Sequence, residues 1–587
     1  MASTAALVFE AVSKTFAAGG RTVKALDDVD IQIQPGLVTG LIGPDGAGKT
    51  TLMRLAAGLL LPDSGHIHAL GIDVIQQPLT VQSSMGYMPQ RFGLYEDLSV
   101  QENLDLYADL QGVAKSERAA RYRELMHMTG LAPFTRRLAG RLSGGMKQKL
   151  GLACTLVRPP RLLLLDEPTV GVDPVSRREL WEIVYRQVRD EGMSVLLSTA
   201  YLDEAERCNE VILLHQGKRL GQGTPASFSE PMRGRSFHIS APSIGKRTLQ
   251  ARLTALPGIV DAVIEGEQVR VVTAKAGMPA LPAELAATEQ LTVTPAKPIF
   301  EDAFIATLKG DQKAATPEVT TISRQPASTT GGDDAVIRVQ DLQRRFGDFY
   351  AVKGVSFSVK RGEIFGLLGA NGAGKSTTFR MLCGLLPVSA GEVQVAGLDL
   401  RYAVARARGR LGYMAQRFSL YVDLTVLQNL RFFASAYGLS RTRARQRIDW
   451  ALAAFELTDY AHVASGDLPL GYKQRLAMAA ALMHEPDILF LDEPTSGVDP
   501  LARREFWQRI NALAESGVTI LVTTHFMDEA NYCDRLVIMA EGEVLAEGTP
   551  ADMKARFHST EAPDPTMEDA FIGLIEAHER KRQGSAA

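Results

Sequence analysis

A long segment of the chain occurs twice in register, and this repeat restricts the possible folds more than any other feature. The glycine-rich segment GPDGAGKTT begins at Gly43, and GANGAGKSTT begins at Gly369. The same shift relates LLLLDEPTVGVDP, which begins at Leu162, to ILFLDEPTSGVDP, which begins at Ile488. The period is far longer than the roughly 20 to 50 residues of a solenoid repeat. We therefore predict two copies of one domain, a first copy in residues 1–232 and a second copy in residues 336–587.

The segment between the two copies has no counterpart after the second copy. Residues 233–298 alternate in the order strand, helix, strand, strand, helix, strand. This predicts that residues 233–310 form a small α+β accessory domain with a C-terminal helix, FEDAFIATL. Residues 311–335 contain no aromatic residue and are rich in Thr, Ala, Ser and Gly. Such a segment cannot bury enough apolar surface to offset its ordering entropy, so we predict a flexible linker.

The charge and composition of the chain exclude several classes of protein. The formal net charge is −3, with 45% hydrophobic and 22% charged residues. A near-balanced charge disfavours a protein that binds nucleic acid through overall basicity, so we expect no nucleic-acid partner. No apolar run is long enough to span a bilayer, and the N-terminal residues lack a signal-peptide pattern. Four widely spaced cysteines predict neither a disulfide framework nor structural zinc and favour a reducing compartment.

Each glycine-rich segment lies between an apolar strand pattern and a helical pattern, which is the context of a phosphate-binding loop. Glycines allow successive backbone N–H groups to face a phosphate, and the helix N-terminus adds partial positive charge. Lys49 and Lys375 would reach the β- and γ-phosphates of a bound nucleotide. A chance match on a surface turn is the alternative, and two matches in register disfavour it. The predicted loop residues are Gly43, Pro44, Asp45, Gly46, Ala47, Gly48, Lys49, Thr50 and Thr51 in the first copy, and Gly369, Ala370, Asn371, Gly372, Ala373, Gly374, Lys375, Ser376 and Thr377 in the second.

Each of the two DEP segments follows an unbroken apolar run. Such a run ending in acids is typical of a buried parallel strand whose C-terminal end carries the chemistry. Asp166 and Asp492 are predicted to hold Mg²⁺, together with the hydroxyls of Thr50 and Ser376. Glu167 and Glu493 follow directly and are predicted to act as general bases on a water near the γ-phosphate. The alternative is a pair of acids that only cap a loop. The two phosphate loops upstream favour the catalytic interpretation.

Phosphate loops alone do not determine function, but LSGGMKQKL at Leu142 narrows the choice. Together with DEPT and the glutamines of GYMPQ and GYMAQ, it resembles the ATP-binding-cassette (ABC) ATPases. The resemblance implies an α/β fold with two tandem ABC-type P-loop NTPase domains, each with a helical insert, near 91–140 and 417–466, and an antiparallel edge of N-terminal strands. In this family two domains pair head to tail around ATP. Ser143, Gly144 and Gly145 would then complete the site that Lys375 begins.

The resemblance also implies roles for residues outside these segments. Gln90 and Gln416 would contact Mg²⁺ and sense the membrane partner. Phe16 and Phe346 would stack on adenine, although a core phenylalanine at each position is almost as plausible. Asp173 and Asp499 would lie in the loops that cross between the two sites.

The two copies differ where the family expects a histidine and an LSGG segment. His525 is present in the second copy, whereas the first has Ala200, and alanine cannot hydrogen-bond the γ-phosphate. Conversely, Pro469 and Leu470 replace the Ser and first Gly of LSGG in the second copy. Proline has no N–H or hydroxyl but is acceptable at a helix start. In a head-to-tail pair both defects fall in one site, so we predict that Glu493 and His525 act in a complete site and Glu167 in a degenerate one.

The segments RFGLYEDLSVQENL and RFSLYVDLTVLQNL, with the EDAF tails, resemble type-two ABC exporters. This implies an ATPase that pairs its own domains on ATP and drives export of a small molecule or drug through separate transmembrane permease subunits, two in number. The chain would be peripheral, at the cytoplasmic face of the inner membrane. The alternative is a soluble tandem ABC ATPase acting on ribosomes or nucleic acid. Such proteins typically carry a long charged helical arm between domains, and the short, slightly acidic linker disfavours this.

Overall fold

The computed structural model describes residues 5–18, 21–90, 93–286, 290–310, 335–416, 418–559 and 564–586. The predicted linker, residues 311–335, lies outside the described residues except for Ala335, which begins a strand. The chain forms two compact units. The first comprises Met1–Arg233, Lys297–Gly310 and Asp499–Leu501, and the second comprises Gly234–Ala296, Asp311–Val498 and Ala502–Ala587.

The first copy is built around a mainly parallel sheet. All five residues of the strand Leu162–Asp166 are buried, as expected for a parallel strand covered on both faces. Within the described part of this sheet, only the pair Glu210–His215 and Lys218–Gly223 is antiparallel. The carboxyl ends of the parallel strands therefore meet at one edge, where the glycine loop and the acids both lie. Among the described residues the strand order is Lys218–Gly223, Glu210–His215, Val38–Ile42, Ser194–Thr199, Leu162–Asp166 and Met85–Met88.

A second, antiparallel sheet and a set of helices complete the first copy. In its described part the sheet has the order Arg21–Ile33, Leu7–Ala18, Ser64–Ala69 and Ile72–Asp73. The predicted helical insert contains Val100–Leu110, which is capped reciprocally by Ser99 and Glu102. The helices are Lys49–Ala56, Pro78–Ser84, Val100–Leu110, Lys115–Thr129, Gly144–Thr155, Pro174–Glu191, Leu202–Glu206 and Pro225–Ser229, with short 3-10 helices at Ala132–Phe134, Ala139–Arg141 and Glu230–Met232.

The second copy repeats this architecture strand for strand. Its mainly parallel sheet has, in the described range, the order Leu411–Met414, Ile488–Asp492, Thr519–Thr524, Ile364–Gly369, Arg535–Ala540 and Glu543–Gly548. Its antiparallel sheet, counted over the same residues, has the order Phe349–Lys360, Ala335–Phe346, Ala390–Val395 and Leu398–Asp399. The helices are Lys375–Leu382, Val404–Arg408, Val426–Ala436, Arg441–Ala454, Leu470–Ala481, Pro500–Glu515, Pro550–Ala555 and Met567–Ala586, with 3-10 helices at Thr458–Tyr460, Ser465–Asp467 and Asp528–Tyr532.

The accessory segment follows the predicted order of strands and helices. The strands Ser236–Ser240, Ile259–Glu265, Gln268–Thr273 and Thr292–Pro295 form an antiparallel sheet, and the helices are Lys246–Thr254 and Ala283–Ala286. The helix Phe300–Lys309 instead packs in the first unit, where the Phe300 N–H donates to Glu206 Oε1 at 2.9 Å. The predicted segment 233–310 is thus divided, because its last helix has its apolar partners in the first copy.

The accessory domain packs against the second copy through polar contacts. Arg504 forms an ion pair with Asp261, which is buried, and Arg247 forms one with Asp534. Asn511 Nδ2 also donates to Gln250 Oε1 at 2.9 Å. Breaking a buried ion pair by removing one partner leaves an uncompensated charge, so these contacts strongly favour one docked arrangement of the domain.

Across the described residues, no helix combines the length with the apolar character that crossing a bilayer requires.

Candidate active sites

Both glycine loops connect an inner strand of the parallel sheet to a helix that begins at a lysine. Val38–Ile42 precedes the helix Lys49–Ala56, and Ile364–Gly369 precedes Lys375–Leu382. Gly48 has φ 106° and Gly374 has φ 98°, which favours glycine. A Cβ atom at Gly48 would lie 2.4 Å from the Ala25 carbonyl oxygen. The loop can therefore keep this curvature only with glycine at the position before the lysine.

The two lysines are buried inside the curve of their loops. Lys49 Nζ donates to the Gly43 carbonyl at 2.7 Å and to the Pro44 carbonyl at 3.1 Å. Lys375 Nζ makes the same contacts, with Gly369 at 2.6 Å and Ala370 at 3.1 Å. An ammonium group and a helix N-terminus thus lie together in each copy, and both favour a bound anion. The predicted loop residues thus meet in a geometry that suits a phosphate chain.

The acid at the end of each buried strand is held by a hydroxyl of the neighbouring strand. Ser198 Oγ donates to Asp166 Oδ1 at 2.7 Å, and Thr50 Oγ1 donates to the same oxygen at 3.3 Å. The other carboxylate oxygen, Asp166 Oδ2, is buried and has no hydrogen-bond partner among the described residues. An unsatisfied carboxylate oxygen beside a threonine hydroxyl fits a hard cation with oxygen ligands, as Mg²⁺ is.

The second copy arranges its acid in a similar way. Thr523 Oγ1 donates to Asp492 Oδ1 at 2.6 Å. Burial raises the pKa of Asp492, while the Thr523 hydrogen bond partly opposes that rise. A carboxylate whose negative charge is poorly solvated gains from a nearby cation, so the residue is suited to Mg²⁺ in this copy too.

The two glutamates that follow these acids are held by matching contacts. Glu167 and Glu493 have φ 51° and 48°, so the chain turns sharply where each strand ends. Their backbone N–H groups donate to the hydroxyl oxygens of Ser198 and Thr523, at 3.0 and 2.9 Å. Gln90 Nε2 donates to Glu167 Oε2 at 2.5 Å, and Gln416 Nε2 donates to Glu493 Oε2 at 2.6 Å. The predicted loop glutamines therefore contact the predicted general bases directly.

The charge environment of these two glutamates differs because of one residue. His525 Nδ1 lies 3.1 Å from Glu493 Oε2, whereas the first copy has the buried Ala200 after its corresponding strand. Burial raises the pKa of Glu167, and Lys49, 3.8 Å away, only partly opposes it. Burial also acts on Glu493, but the hydrogen bond and charge of His525 outweigh it and lower its pKa to about 2. The base of the second copy is thus the more strongly held in its ionised form.

The second ring nitrogen of the histidine is available for a further contact. His525 is 1% exposed, and its Nε2 has no hydrogen-bond partner in the described part of the chain. A buried polar atom without a partner is costly, so a group that binds there would be favoured. The first copy has no side chain that offers this nitrogen at Ala200.

The two LSGG-like segments start their helices differently. Ser143 is the N-cap of the helix Gly144–Thr155, and its Oγ accepts a hydrogen bond from the Met146 N–H at 3.3 Å. Pro469 precedes the helix Leu470–Ala481 without a side-chain cap. The helix therefore forms in both copies, but only the first copy presents a hydroxyl and two glycines at its start.

The predicted adenine-stacking rings are exposed in both copies. Phe16 is 39% exposed and Phe346 is 46% exposed, so neither is a core phenylalanine. Lys14 Nζ lies 5.7 Å from the centre of the Phe16 ring, and the Arg344 guanidinium lies 4.5 Å from that of Phe346. A ring with an exposed face is free to stack on a base, which remains a prediction for both residues.

Asp173 and Asp499, predicted to lie in the crossing loops, cap the helices that follow them. Asp173 Oδ1 accepts from the Ser176 N–H at 3.1 Å, and Asp499 Oδ1 accepts from the Leu501 N–H at 3.0 Å. These local contacts hold each loop at the start of a helix.

Sequence analysis missed two residues beside each site. The hydroxyls of Ser198 and Thr523 support both acids of their copy, and the buried Glu204 and Glu529 contact the loops around them. The only sequence signal for the glutamates is the DEA triplet at the same place in both copies, after Ala200 and after His525. A triplet at a helix start ordinarily indicates capping, so it gave no reason to predict a buried carboxylate.

Comparison with known proteins gives a consistent result for both copies. A family model described as "ABC transporter" matches residues 26–170 and 352–496. The "Probable multidrug ABC transporter ATP-binding protein YbhF" of Escherichia coli (strain K12) is 53% identical over 556 residues, which are 95% of this chain and 96% of that protein. The "Nod factor export ATP-binding protein I" of Burkholderia orbicola (strain AU 1054) is 45% identical over 217 residues, covering 37% of this chain and 71% of that protein.

Among solved structures, one titled "Structure of ATP binding subunit of ABC transporter" is 32% identical. It has a TM-score of 0.38 and covers 41% of this chain and 99% of its own.

Proposed function

Because this chain belongs to the family of ABC transporter ATP-binding proteins, we propose that it couples ATP hydrolysis to the export of a small molecule or drug through separate transmembrane permeases. The family and the tandem α/β fold predicted from the LSGG and DEPT segments are thereby confirmed, and the chain is an ABC-type ATPase. One observation carries the export proposal. The relative named as a probable multidrug transporter subunit is 53% identical along 95% of this chain, so the similarity includes both copies and the accessory domain.

The proposed partners are two permease subunits, with this chain bound peripherally at the cytoplasmic face of the inner membrane. Affinity purification of the full chain from detergent-solubilised membranes should recover proteins with many membrane spans. A wash at high salt without detergent should leave the chain on the membranes if apolar permease contacts hold it. Recovery of ribosomal RNA that high salt removes, with no membrane protein, would instead support the alternative function on ribosomes or nucleic acid.

The proposed chemistry of each site uses its lysine, its two acids and the hydroxyl that follows the lysine. The lysine and the loop N–H groups bind the β- and γ-phosphates. Asp166 with Thr50, and Asp492 with Ser376, would hold Mg²⁺, and the ion when bound neutralises charge on the phosphates. The glutamate accepts a proton from a water molecule while the oxygen of that water attacks the γ-phosphorus. The products are ADP and phosphate. Gln90 and Gln416 orient that glutamate through its Oε2 atom.

We assign unequal roles to the two sites that head-to-tail pairing would form. One would combine Lys375, Asp492, Glu493 and His525 with the Ser143 helix start, and it would hydrolyse ATP. The other would combine Lys49, Asp166, Glu167 and Ala200 with the Pro469 helix start, and it would bind ATP and turn it over slowly. The contact between His525 Nδ1 and Glu493 Oε2 at 3.1 Å supports this assignment, because it adds a second acid–base side chain beside the proposed general base, which the first copy lacks at Ala200.

A matched pair of substitutions tests the proposal. Glu493→Gln should lower the steady-state rate of ATP hydrolysis by the full chain about 100-fold or more, because it removes the general base of the proposed active site. Glu167→Gln is the matched control and should keep at least about half of the rate, since its site contributes little turnover. Both variants should still bind a fluorescent ATP analogue. Equal losses from both substitutions would contradict the asymmetry, and retention of hydrolysis by the double variant would contradict the assigned bases.

A further inference from the structure

We infer that Glu529 is a positioning residue for the active site of the second copy, because its buried carboxylate joins the two segments that carry Glu493 and His525. The inference rests on the proposed function, in which these two residues hydrolyse ATP. Glu529 lies in the 3-10 helix Asp528–Tyr532, four residues after His525, and is 1% exposed.

Each oxygen of this carboxylate accepts a hydrogen bond from a different segment. The Thr495 hydroxyl, two residues after Glu493, donates to Glu529 Oε1. The Thr524 hydroxyl, directly before His525, donates to Glu529 Oε2 at 2.6 Å. A planar carboxylate with both oxygens engaged fixes the separation of its two donors. Glu529 therefore sets the distance between the turn that presents the general base and the turn that presents the histidine.

The contact continues through Thr524 to the other side of the histidine. Thr524 Oγ1 accepts a hydrogen bond from the Phe526 N–H at 2.9 Å while it donates to Glu529. The residues on both sides of His525 are thus held by one hydroxyl, and that hydroxyl is oriented by one carboxylate. Rotation of the histidine backbone would break both hydrogen bonds in a buried site, where unsatisfied polar groups are costly.

The first copy contains a similar arrangement without a histidine to position, although both threonine hydroxyls donate there to one oxygen of the glutamate. Thr169 Oγ1 and Thr199 Oγ1 donate to Glu204 Oε2 at 3.0 and 2.6 Å, and the Tyr201 N–H donates to Thr199 Oγ1 at 2.9 Å. Trp181 Nε1 adds a further donor to Glu204 Oε1 at 3.2 Å. The residue held between Thr199 and Tyr201 is Ala200. Glu204 is therefore a control of similar burial that also binds two threonine hydroxyls but has no histidine to position.

Removal of the Glu529 carboxylate should affect the rate more than binding. The phosphate loop is not part of these contacts, so the KM for ATP should change by less than about threefold. A misplacement of catalytic groups by about 1 Å can cost about 100-fold in rate. We expect Glu529→Ala to lower the kcat of the full chain by about 10- to 100-fold, a pattern that indicates a loss restricted to the transition state.

A double-substitution cycle separates positioning from a loss of stability. If Glu529 acts through His525, adding Glu529→Ala to His525→Ala should lower kcat by less than about threefold further, because residues of one unit are not additive. Glu204→Ala should lower kcat by no more than about twofold. Glu529→Gln, which keeps the side-chain shape but only one of the two oxygen acceptors, should recover only part of the activity. Thr524→Val, which removes the bridging hydroxyl, should reproduce the loss and serves as the second variant if Glu529→Ala does not fold.

Hydrogen exchange gives a readout that does not depend on hydrolysis. In the nucleotide-free full chain, the Phe526 amide should exchange faster in Glu529→Ala than in the wild type. In His525→Ala its exchange rate should equal that of the wild type. The inference is wrong if Glu529→Ala lowers kcat equally in the wild-type and His525→Ala backgrounds, or if exchange at Phe526 is unaltered. These outcomes differ from a failure of the proposed function, which would appear as hydrolysis that survives Glu493→Gln.

Discussion

The active-site regions of the two copies share one frame and differ in the charge that the frame supports. In both, a glutamine amide and a neighbouring hydroxyl hold the glutamate at the end of a buried strand. Burial raises the pKa of Glu167 in the first copy, whereas Glu493 in the second is held at about 2 because His525 lies 3.1 Å away.

The two copies hold the carboxylate in place with the same kinds of group, a strand end, a glutamine amide and a hydroxyl. In both copies the lysine and the glutamine also lower the pKa of the glutamate. His525 adds a further hydrogen bond and charge in the second copy, whereas Ala200 offers neither in the first. The fold therefore accepts alanine in place of histidine at this position, because an apolar side chain can be buried without a hydrogen-bond partner.

Among the substitutions that test this difference between the copies, His525→Ala is expected to change the rate of ATP hydrolysis most. The substitution removes the hydrogen bond and the charge that offset the burial of Glu493, and it removes the free Nε2 atom. The second copy would then resemble the first, and the rate of ATP hydrolysis should fall about 100-fold, as for a lost acid–base group. Steady-state phosphate release by the full chain measures this. A fall of less than threefold would show that the histidine does not distinguish the copies.

A smaller effect is expected from repair of the site that we propose to be degenerate. Ala200→His, combined with Pro469→Ser and Leu470→Gly, restores the histidine, the hydroxyl and the close backbone approach that the first site would lack. In a Glu493→Gln background, where only the first site can turn over, the triple substitution should raise hydrolysis about tenfold, since a single lost donor can cost 100-fold or more. Ala200→His alone is the matched control and should raise the rate less. No increase from the triple substitution would reject the pairing of Lys49 with the Pro469 helix start.

The sequence predicts the frame of this comparison well and its contacts only in part. The glycine loops, the buried acid-ended strands and the order of the accessory strands follow from local patterns, because each is a contiguous signal. The Ala200 and His525 difference is visible because the repeat aligns the two positions. The hydrogen bond between Gln416 and Glu493 joins segments that are far apart in the sequence, so no local pattern predicts it.

One physical reason explains why the buried glutamates and the docking contacts could not be predicted from the sequence. Glu529 is a buried glutamate. Glutamates are rarely fully buried unless they are paired, so a sequence without known partners gives no reason to expect one in the interior. Its partners are Thr495, which lies in the loop after the strand Ile488–Asp492, and Thr524, which ends the strand Thr519–Thr524, and neither stands out in the sequence. The docking of the accessory domain on the second copy depends in the same way on Arg247 and Asp534, which lie far apart in the chain. Long-range pairs of this kind require the fold before they can be recognised.

The smallest expected effect concerns stability and has opposite signs in the two copies. Glu493 has a folded pKa of about 2, below the value of about 4.3 for an unfolded glutamate. Its contribution to folding is therefore present above pH 4.3 and is lost as the pH falls toward 2. Glu167 has a raised pKa, so its contribution is present at low pH and is lost as the pH rises through that folded pKa.

Thermal unfolding of the two glutamine variants tests these signs. Near neutral pH, Glu493→Gln should lower the unfolding temperature of the second copy by a few degrees, and the difference from the wild type should shrink as the pH falls from about 4.3 toward 2. Glu167→Gln should raise the unfolding temperature of the first copy at neutral pH, and this gain should also shrink in acid, since the wild-type carboxyl then takes up its proton. The glutamine variants keep nearly the same shape, so packing contributes little to either difference. Shifts of the same sign at neutral pH would show that the histidine does not set the ionisation of its neighbouring glutamate.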